Sequence, residues 1–326
     1  MINCLVSFTA GLLIVFFLMP SFIDQMKKLS FNQTVSEYSL QEYREKAKTP
    51  IMGGVLFIVA PVIVTIVSQC IYGFNAETML LLLSYIGYGL IGCIDDWLIA
   101  VKKNNEGLTP LRKFLMQVVL AVLLFLLYRQ TGAPLALRIP FTGKSVYLGV
   151  FYIALILFMF AGSSNAVNLT DGMDGLAAGC AVPSFAVFLI LSLLAEKPCA
   201  VSFFAAVIGA LIGYLYYNVK PAKIFMGDTG SLALGGALAA GALILNQELA
   251  LIFIGGVFVI ETLCVIIQQA SVRLSGKRVF PYTPIHYAFV LPKWQRGLGM
   301  GEVQTVHLFW LASLVFALLG LFVALN

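Results

Sequence analysis

The segment "FYIALILFMFAGSSNAVNLTDGMDGLAAG" (151–179) joins a long apolar run to two aspartates and then to a second apolar run. The first run lies near 146–162 and the second near 176–195. Roughly 17 to 25 apolar residues suffice for a helix to cross a bilayer. Each run therefore predicts a membrane-spanning helix, and the aspartates fall in the short loop between the two helices.

The same pattern recurs along the chain. Of its 326 residues, 60% are hydrophobic and 11% are charged, whereas soluble domains carry about 25% charged residues. The apolar runs are continuous rather than alternating, which argues against a β-barrel. We therefore predict an all-α, polytopic integral membrane protein with about ten transmembrane helices. The predicted spans lie near 2–20, 51–71, 78–94, 114–129, 146–162, 176–195, 200–217, 230–246, 249–270 and 306–325.

The positions of Lys and Arg predict the orientation, because cytoplasmic loops carry an excess of both. Sixteen of the 20 basic residues fall in the loops that join spans 1–2, 3–4, 7–8 and 9–10, and four fall on the other face. Loops from odd to even spans are therefore predicted to be cytoplasmic, and both termini extracytoplasmic. The first run begins at Ile2 without a basic segment before it or an A-x-A site after it, which favours a retained span over a cleaved signal peptide.

All six aspartates fall on the predicted cytoplasmic face, and five of them stand at span ends. These five are Asp95, Asp96, Asp171, Asp174 and Asp228. A carboxylate near hydrocarbon is costly, by about 2.5–3.5 kcal/mol at a helix centre, and a single one is often only an interfacial residue or an N-cap. Five together favour a site, because carboxylates bind Mg²⁺, which usually arrives with substrate phosphates. The pattern predicts phosphate chemistry at the membrane surface.

Five motifs carry a resemblance to a known family. They are "TPIMGG" (49–54), "IDDW" (94–97), "NAVNLTDGMDGLAAG" (165–179), "PAKIFMGDTGSLALGG" (221–236) and "TPIH" (283–286). In matching order they resemble the phospho-N-acetylmuramoyl-pentapeptide transferases, a family of the polyprenyl-phosphate N-acetylhexosamine-1-phosphate transferase superfamily. The resemblance implies a single transmembrane transferase domain over 1–326. Its active-site loops would be 21–50, 95–113, 163–175, 218–229 and 271–304.

The resemblance also implies a reaction. A phospho-sugar-peptide would leave UDP-N-acetylmuramoyl-pentapeptide, with release of UMP, and join undecaprenyl phosphate to give lipid I, the first membrane-bound intermediate of peptidoglycan synthesis. Mg²⁺ would be the cofactor, the enzyme would be a homodimer, and it would lie in the bacterial plasma membrane with a cytoplasmic site. The Lys and Arg bias accounts for the net charge of +5 without nucleic-acid binding.

The resemblance assigns roles to matching residues. Asp228 would be a metal ligand, together with Asp171, and Asp95 or Asp96 would deprotonate or position the lipid phosphate. His286 in the last loop would be a further catalytic residue. The substrate-binding residues would be Lys46, Lys48, Asn165, Asn168, Asp171, Gly172, Met173, Asp174 and Phe225, with Phe225 stacking on the uracil ring.

The chain departs from the family at four positions. Ile99 and Leu111 stand where the family pattern has lysine, and Tyr287 and Ala288 stand where it has histidine. Four nearby basic residues are candidates to compensate for the lysines, namely Lys102, Lys103, Arg112 and Lys113. Glu261, deep in span 9, is a candidate to pair with a neighbouring polar group.

Two other functions stay open at the level of sequence. One is a UDP-N-acetylglucosamine:polyprenyl-phosphate transferase of the same superfamily, which shares the aspartate motifs. The other is an ion-coupled transporter, although transporter acids sit near the bilayer midplane, and these aspartates cluster at one surface.

Overall fold

The computed structural model describes residues 2–29, 49–102 and 107–326. Within these ranges, ten helices are long and apolar enough to cross a membrane, which confirms the predicted all-α, polytopic fold. The helices are α1 (Ile2–Lys28), α2 (Gly54–Tyr72), α3 (Ala76–Lys102), α4 (Pro110–Gln130), α5 (Tyr152–Thr170), α6 (Leu176–Leu194), α7 (Pro198–Asn218), α8 (Gly227–Ile244), α9 (Leu251–Ile254), α10 (Gly256–Ser275), α11 (His286–Val290) and α12 (Glu302–Leu325). The short helices α9 and α11 do not span.

Several helices run further than their apolar runs indicated, and two of these extensions carry predicted site residues. Span 3 was predicted to end at 94, but α3 continues to Lys102, so Asp95 and Asp96 are helical. Span 5 was predicted to end at 162, but α5 continues to Thr170. Backbone hydrogen bonding carries a helix past the point where its side chains become polar. Asp95 and Asp96 are therefore presented from the end of α3, and Asn165 and Asn168 from the end of α5, rather than from loops.

The start of span 5 was predicted wrongly. Ala136–Ile139 and Lys144–Tyr147 form an antiparallel β-hairpin, so Val146 and Tyr147, which were expected to begin the helix, lie in a strand. A 3₁₀ turn at Gly149–Phe151 follows, and Gly149 has a positive φ of 54°. Val and Tyr favour strands, and a left-handed glycine interrupts the backbone before the helix begins.

The helix α8 lies at the centre of the bundle. In its span, 89% of the residues are buried, against 22% for the span in α1. Glycines allow its close contacts: a Cβ at Gly235 would overlap the backbone of Ser163 and Ser164 in α5, and a Cβ at Gly92 in α3 would overlap the backbone of Asp228. The N-terminus of α8 is therefore held against the ends of α3 and α5.

The described parts of the odd-to-even connections meet at one end of the bundle, here called the aspartate end because it holds Asp95, Asp96, Asp171, Asp174 and Asp228. The Phe225 N–H donates to the Pro50 carbonyl at 2.9 Å, which joins connection 7–8 to connection 1–2. The Tyr287 hydroxyl donates to the Gly172 carbonyl at 3.2 Å, which joins connection 9–10 to connection 5–6. At the opposite end, Arg138 donates to the Ala324 carbonyl at 3.0 Å.

Candidate active site

Asp96 holds the first turn of α8. Its Oδ1 accepts the Asp228 N–H at 3.0 Å, and its Oδ2 accepts the N–H of Thr229 at 3.0 Å and its hydroxyl at 2.6 Å. The first N–H groups of a helix lack partners within it and carry a positive partial charge. A buried carboxylate at this point accepts hydrogen bonds from these N–H groups and also balances their positive partial charge. Asp96 therefore fixes where Asp228 stands.

Gly227 makes this arrangement possible. It has a positive φ of 69°, and a Cβ at this position would overlap the Asp96 carboxylate. Glycine tolerates a positive φ without steric cost. The "MGD" sequence thus provides a tight turn and a bare backbone that Asp96 can approach.

Asp95 and Asp228 converge on one cation, the ammonium group of Lys113. Lys113 forms an ion pair with the Asp228 carboxylate, and its Nζ lies 3.6 Å from Asp95 Oδ2. Asp95 also accepts the Leu108 N–H at 2.6 Å. Of the four basic residues proposed to compensate for Ile99 and Leu111, Lys103 lies outside the described residues, and the structure brings Lys113 to the carboxylates. From the sequence, Lys113 was one of four equal candidates for this role.

Asn168 belongs to the same cluster. Its Nδ2 donates to Asp228 Oδ1 at 2.6 Å and to the Ser231 hydroxyl at 3.0 Å. Asn165, one turn earlier on α5, instead donates to Gln117 Oε1 at 2.9 Å. The structure thus brings Asn168 to the carboxylates and places Asn165 against α4.

The loop "DGMDG" (171–175) is packed between two other connections. Asp174 is 5% exposed, and its Oδ2 accepts the Ala222 N–H at 3.0 Å. Met173 is 4% exposed. Asp171 follows the last turn of α5, and its N–H donates to the Val167 carbonyl at 3.1 Å. Asp174 therefore joins this loop to connection 7–8, and its predicted role at the uridine stays a prediction, as does that of Met173.

His286 is fully buried beside the loop. Glu261 accepts the N–H groups of Ile285 at 2.7 Å and of His286 at 3.1 Å, and Glu261 Oε1 lies 3.2 Å from the ring Nδ1 of His286. A Cβ at Gly172 would overlap the ring. The pairing expected for Glu261 is present, and it fixes the start of α11. Because Gly172 has no side chain, connection 5–6 can contact connection 9–10 at this point.

The second ring nitrogen of His286 is one of the buried polar atoms without a hydrogen-bond partner among the described residues. Beside it, Tyr287 donates to the Gly172 carbonyl. Burial raises the pKa of Tyr287, so the phenol stays protonated as a donor. Tyr287, at a position where the family pattern has histidine, therefore supports the loop by packing and hydrogen bonding.

Three predicted substrate contacts remain. Phe225 is half-buried, and its backbone pairs with Pro50 and with the Gly53 N–H, at 2.9 and 2.8 Å. Its stacking on uracil stays a prediction. Lys46 and Lys48 lie outside the described residues.

The donor chemistry at this end suits Mg²⁺. Among the described residues, no three His, Cys, Asp or Glu side chains are grouped closely enough to form a metal cage. Mg²⁺ is usually bound by one or two carboxylates together with substrate phosphates. Asp228 and Asp95 present two carboxylates to a shared cation already. The cluster therefore fits a magnesium ion that is completed by phosphate oxygens.

Comparison with known proteins identifies the family. The glycosyl transferase family 4 profile matches residues 78–246, which include both Asp95–Asp96 and Asp228. Proteins named phospho-N-acetylmuramoyl-pentapeptide-transferase are similar over nearly the whole chain. The one from Staphylococcus carnosus (strain TM300) is 44% identical over 96% of this chain and 97% of its own length. The one from Staphylococcus haemolyticus (strain JCSC1435) is 45% identical over 97% and 98%, and the one from Geobacillus thermodenitrificans (strain NG80-2) is 44% identical over 98% and 97%. This membrane protein is therefore an enzyme of glycosyl transferase family 4, and it belongs to the phospho-N-acetylmuramoyl-pentapeptide transferases.

Proposed function

We propose that this enzyme transfers phospho-N-acetylmuramoyl-pentapeptide from its UDP-activated donor to undecaprenyl phosphate, giving lipid I and UMP. The observation that carries the proposal is the convergence of Asp95, Asp228, Asn168 and Lys113 at one end of the bundle. Family membership supplies the donor and acceptor classes. Two phosphates that repel each other must meet in this reaction. Carboxylates that hold a metal ion or take a proton, together with an amide and an ammonium group, are suited to bringing them together.

The geometry separates the two adjacent aspartates. Both oxygens of Asp96 are engaged by the first turn of α8, so Asp96 acts as a positioning residue. Asp95 faces the Lys113 ammonium and is the better candidate base. Asp95 would take the proton of the lipid phosphate, whose oxygen then bonds to the β-phosphorus of the donor. The bond from that phosphorus to the bridging oxygen breaks, and UMP leaves.

Asp228 would hold Mg²⁺, with Asp171 as the second carboxylate. The ion would supply charge neutralisation and alignment of the diphosphate. Asn168 donates to Asp228 Oδ1 and thereby orients the carboxylate. Lys113 would turn from the carboxylates to the incoming phosphate, since an ammonium group pairs as readily with phosphate as with carboxylate.

The remaining assignments concern the donor. Gly172, Met173, Asp174 and Phe225 would form the uridine pocket, and His286 would contact the sugar-peptide. In support, Glu261 and Gly172 hold His286 against the "DGMDG" loop. The second ring nitrogen of His286, for which the described residues offer no hydrogen-bond partner, is an atom to which a polar group of the sugar-peptide would bind.

We also propose that the aspartate end faces the cytoplasm, because the basic residues are concentrated in its connections. Both termini would then be extracytoplasmic. The homodimer implied by the resemblance is tested by crosslinking the purified protein in detergent and measuring the mass of the product.

The experiment compares two donors. Purified protein, Mg²⁺ and undecaprenyl phosphate are incubated with either UDP-N-acetylmuramoyl-pentapeptide or UDP-N-acetylglucosamine, and UMP is measured. We expect kcat/KM at least about a hundredfold higher for the muramoyl donor, equivalent to about 2.7 kcal/mol. A higher value for the simpler donor would replace the proposal with the acetylglucosamine transferase. If neither donor released UMP, the transferase proposal would fail, and the ion-coupled transporter would remain as the alternative.

A further inference from the structure

Gln117 is a buried junction of three helices beneath the active site. It lies on α4 and is 1% exposed. Its side-chain Oε1 accepts a hydrogen bond from Asn165 Nδ2 of α5 at 2.9 Å, and its backbone carbonyl accepts one from the Tyr88 hydroxyl of α3 at 3.2 Å. One residue therefore joins α4 to both α3 and α5.

The side-chain contact lies one turn below two residues that hold Asp228. Gln117 follows Lys113 by four positions, and Asn165 precedes Asn168 by three. Helix residues three or four positions apart share a face, and the rise of about 1.5 Å per residue separates them by only about 4.5–6 Å along the axis. Lys113 and Asn168 both bind the Asp228 carboxylate. The bond between Asn165 and Gln117 is therefore a second connection between α4 and α5, just below the one made through Asp228.

The contact with α3 has the same relation to the site. Tyr88 precedes Asp95 by seven positions, which is about two turns along the same face. The Tyr88 ring stacks on Phe160 of α5, with the ring centroids 5.6 Å apart, and a Cβ at Gly236 of α8 would lie 2.9 Å from the same ring. The helices that carry the site are therefore joined at the level of Gln117 as well as at the aspartate end.

The amide of Gln117 has a cost that an apolar side chain would not have. Its Nε2 is buried and has no hydrogen-bond partner among the described residues. An unpaired buried donor is unfavourable, whereas replacing hydrogen-bonded polar groups by apolar groups of the same shape is often nearly neutral. Leucine would fill a similar volume without this donor. Stability alone therefore does not account for a glutamine at this point.

We propose that Gln117 is a positioning residue that sets the spacing of α4 and α5 for the transfer reaction through its bond to Asn165. That spacing places Lys113 and Asn168 on the Asp228 carboxylate. The inference rests on the proposed function, which gives those residues their roles, and it assigns Asn165 to a contact within the protein rather than to the substrate. A misplacement of about 1 Å lowers a catalytic rate by up to about a hundredfold. Loss of the bond should therefore lower kcat rather than weaken substrate binding.

Removing the bond from either side tests the proposal. We expect Gln117→Leu and Asn165→Leu each to lower kcat about tenfold, while the KM for each substrate changes by less than about twofold. Both variants should need more Mg²⁺ for half-maximal activity, because the Asp228 carboxylate is less well oriented. The double variant should be no worse than either single variant, because both remove the same hydrogen bond.

Two measurements separate positioning from folding. Gln117→Leu should unfold at the wild-type SDS concentration or above it, because it also removes the unpaired donor. The matched controls are Gln130→Leu, at the exposed far end of α4, and Ser164→Ala, whose hydroxyl donates to the Ala161 carbonyl of its own helix. Both controls should keep the wild-type kcat.

Exchanging the two side chains tests the bond itself. Gln117→Asn combined with Asn165→Gln keeps both amides and the total length of the two side chains, whereas Gln117→Asn alone shortens the connection. We expect the exchanged pair to keep kcat within about threefold of wild type and Gln117→Asn alone to lose about tenfold. An exchanged pair no more active than Gln117→Asn alone would overturn the proposal.

Other outcomes would also overturn it. These are wild-type kcat in Gln117→Leu, a parallel loss of kcat and stability in that variant, and additive losses in the double variant. A rise in donor KM confined to Asn165→Leu would overturn it as well and return Asn165 to the substrate-binding residues. Failure of the proposed function is distinct, since the wild-type enzyme would then release no UMP.

Discussion

Replacing Asp96 by Asn should destabilise the protein, whereas replacing Asp95 by Asn should mainly abolish activity. The two residues are neighbours with similar exposure, 4% and 6%. Asp96 accepts three hydrogen bonds from the start of α8. An asparagine keeps one oxygen but turns an NH₂ group toward the Asp228 N–H. The substitution therefore removes a charge-assisted hydrogen bond and leaves a buried donor unpaired.

The expected cost follows from these contacts. A hydrogen bond to a charged group contributes about 1.5–3 kcal/mol, and an unpaired buried donor costs about 1–3 kcal/mol. We expect Asp96→Asn to lower the free energy of unfolding by about 3 kcal/mol. Asp95→Asn keeps an oxygen that can accept the Leu108 N–H and gives up the ion pair with Lys113, so it should cost about 1 kcal/mol. Both variants should lose activity.

Unfolding by SDS titration in mixed micelles, followed by circular dichroism, measures the two costs. The control is Asp24→Asn, which alters an exposed carboxylate near the end of α1 and should leave both stability and activity unchanged. Wild-type stability of Asp96→Asn would refute the positioning role, and so would a larger loss in Asp95→Asn. In either case the assignment of the base would be reversed.

Three further predictions follow from the same contacts. Asp228→Asn should lower turnover about a hundredfold or more at limiting Mg²⁺ in a protein that still folds, because a metal ion supplies several kcal/mol of charge stabilisation; near-normal turnover would remove Asp228 from the metal site. Glu261→Gln should lower kcat/KM about tenfold, because an NH₂ group would then oppose the backbone donors around His286; unchanged UMP release would make Glu261 a purely structural residue. A cysteine introduced at Gln295 should resist an impermeant reagent in intact cells, while one at Thr142 should be labelled; the reverse pattern would invert the topology.

The fold was largely predictable because span length is set by the bilayer. The ten apolar runs correspond to ten helices of spanning length in the described part of the chain. Because successive spans alternate in direction, the connections from odd to even spans, which hold five aspartates, lie at one end. The hairpin at 136–147 was not predicted, because its strands are only four residues long and Val146 and Tyr147 at its end also open an apolar run. The exact helix ends were also missed, since backbone hydrogen bonds in α3 continue beyond the apolar side chains to Lys102.

The sequence predicted which residues form the site, but it did not predict which role each of the two adjacent aspartates has. Asp95 and Asp96 are adjacent in sequence, yet consecutive side chains on a helix point about 100° apart, so one meets α8 and the other meets Lys113. Only the packing of α3 on α8 reveals this. In the same way, Glu261 pairs with His286, which lies 25 residues away in the sequence. Residue spacing within one helix or loop does not predict such a contact.

The central claim is that a phospho-sugar, rather than a sugar alone, moves to the lipid phosphate. A donor labelled with ³²P at its β-phosphate tests this directly, because the bond predicted to break lies between the two phosphates. With purified protein, Mg²⁺ and undecaprenyl phosphate, the label should appear in the lipid fraction in equal amount to the UMP released. Label recovered in UDP would instead mean transfer of the sugar alone and would contradict the account.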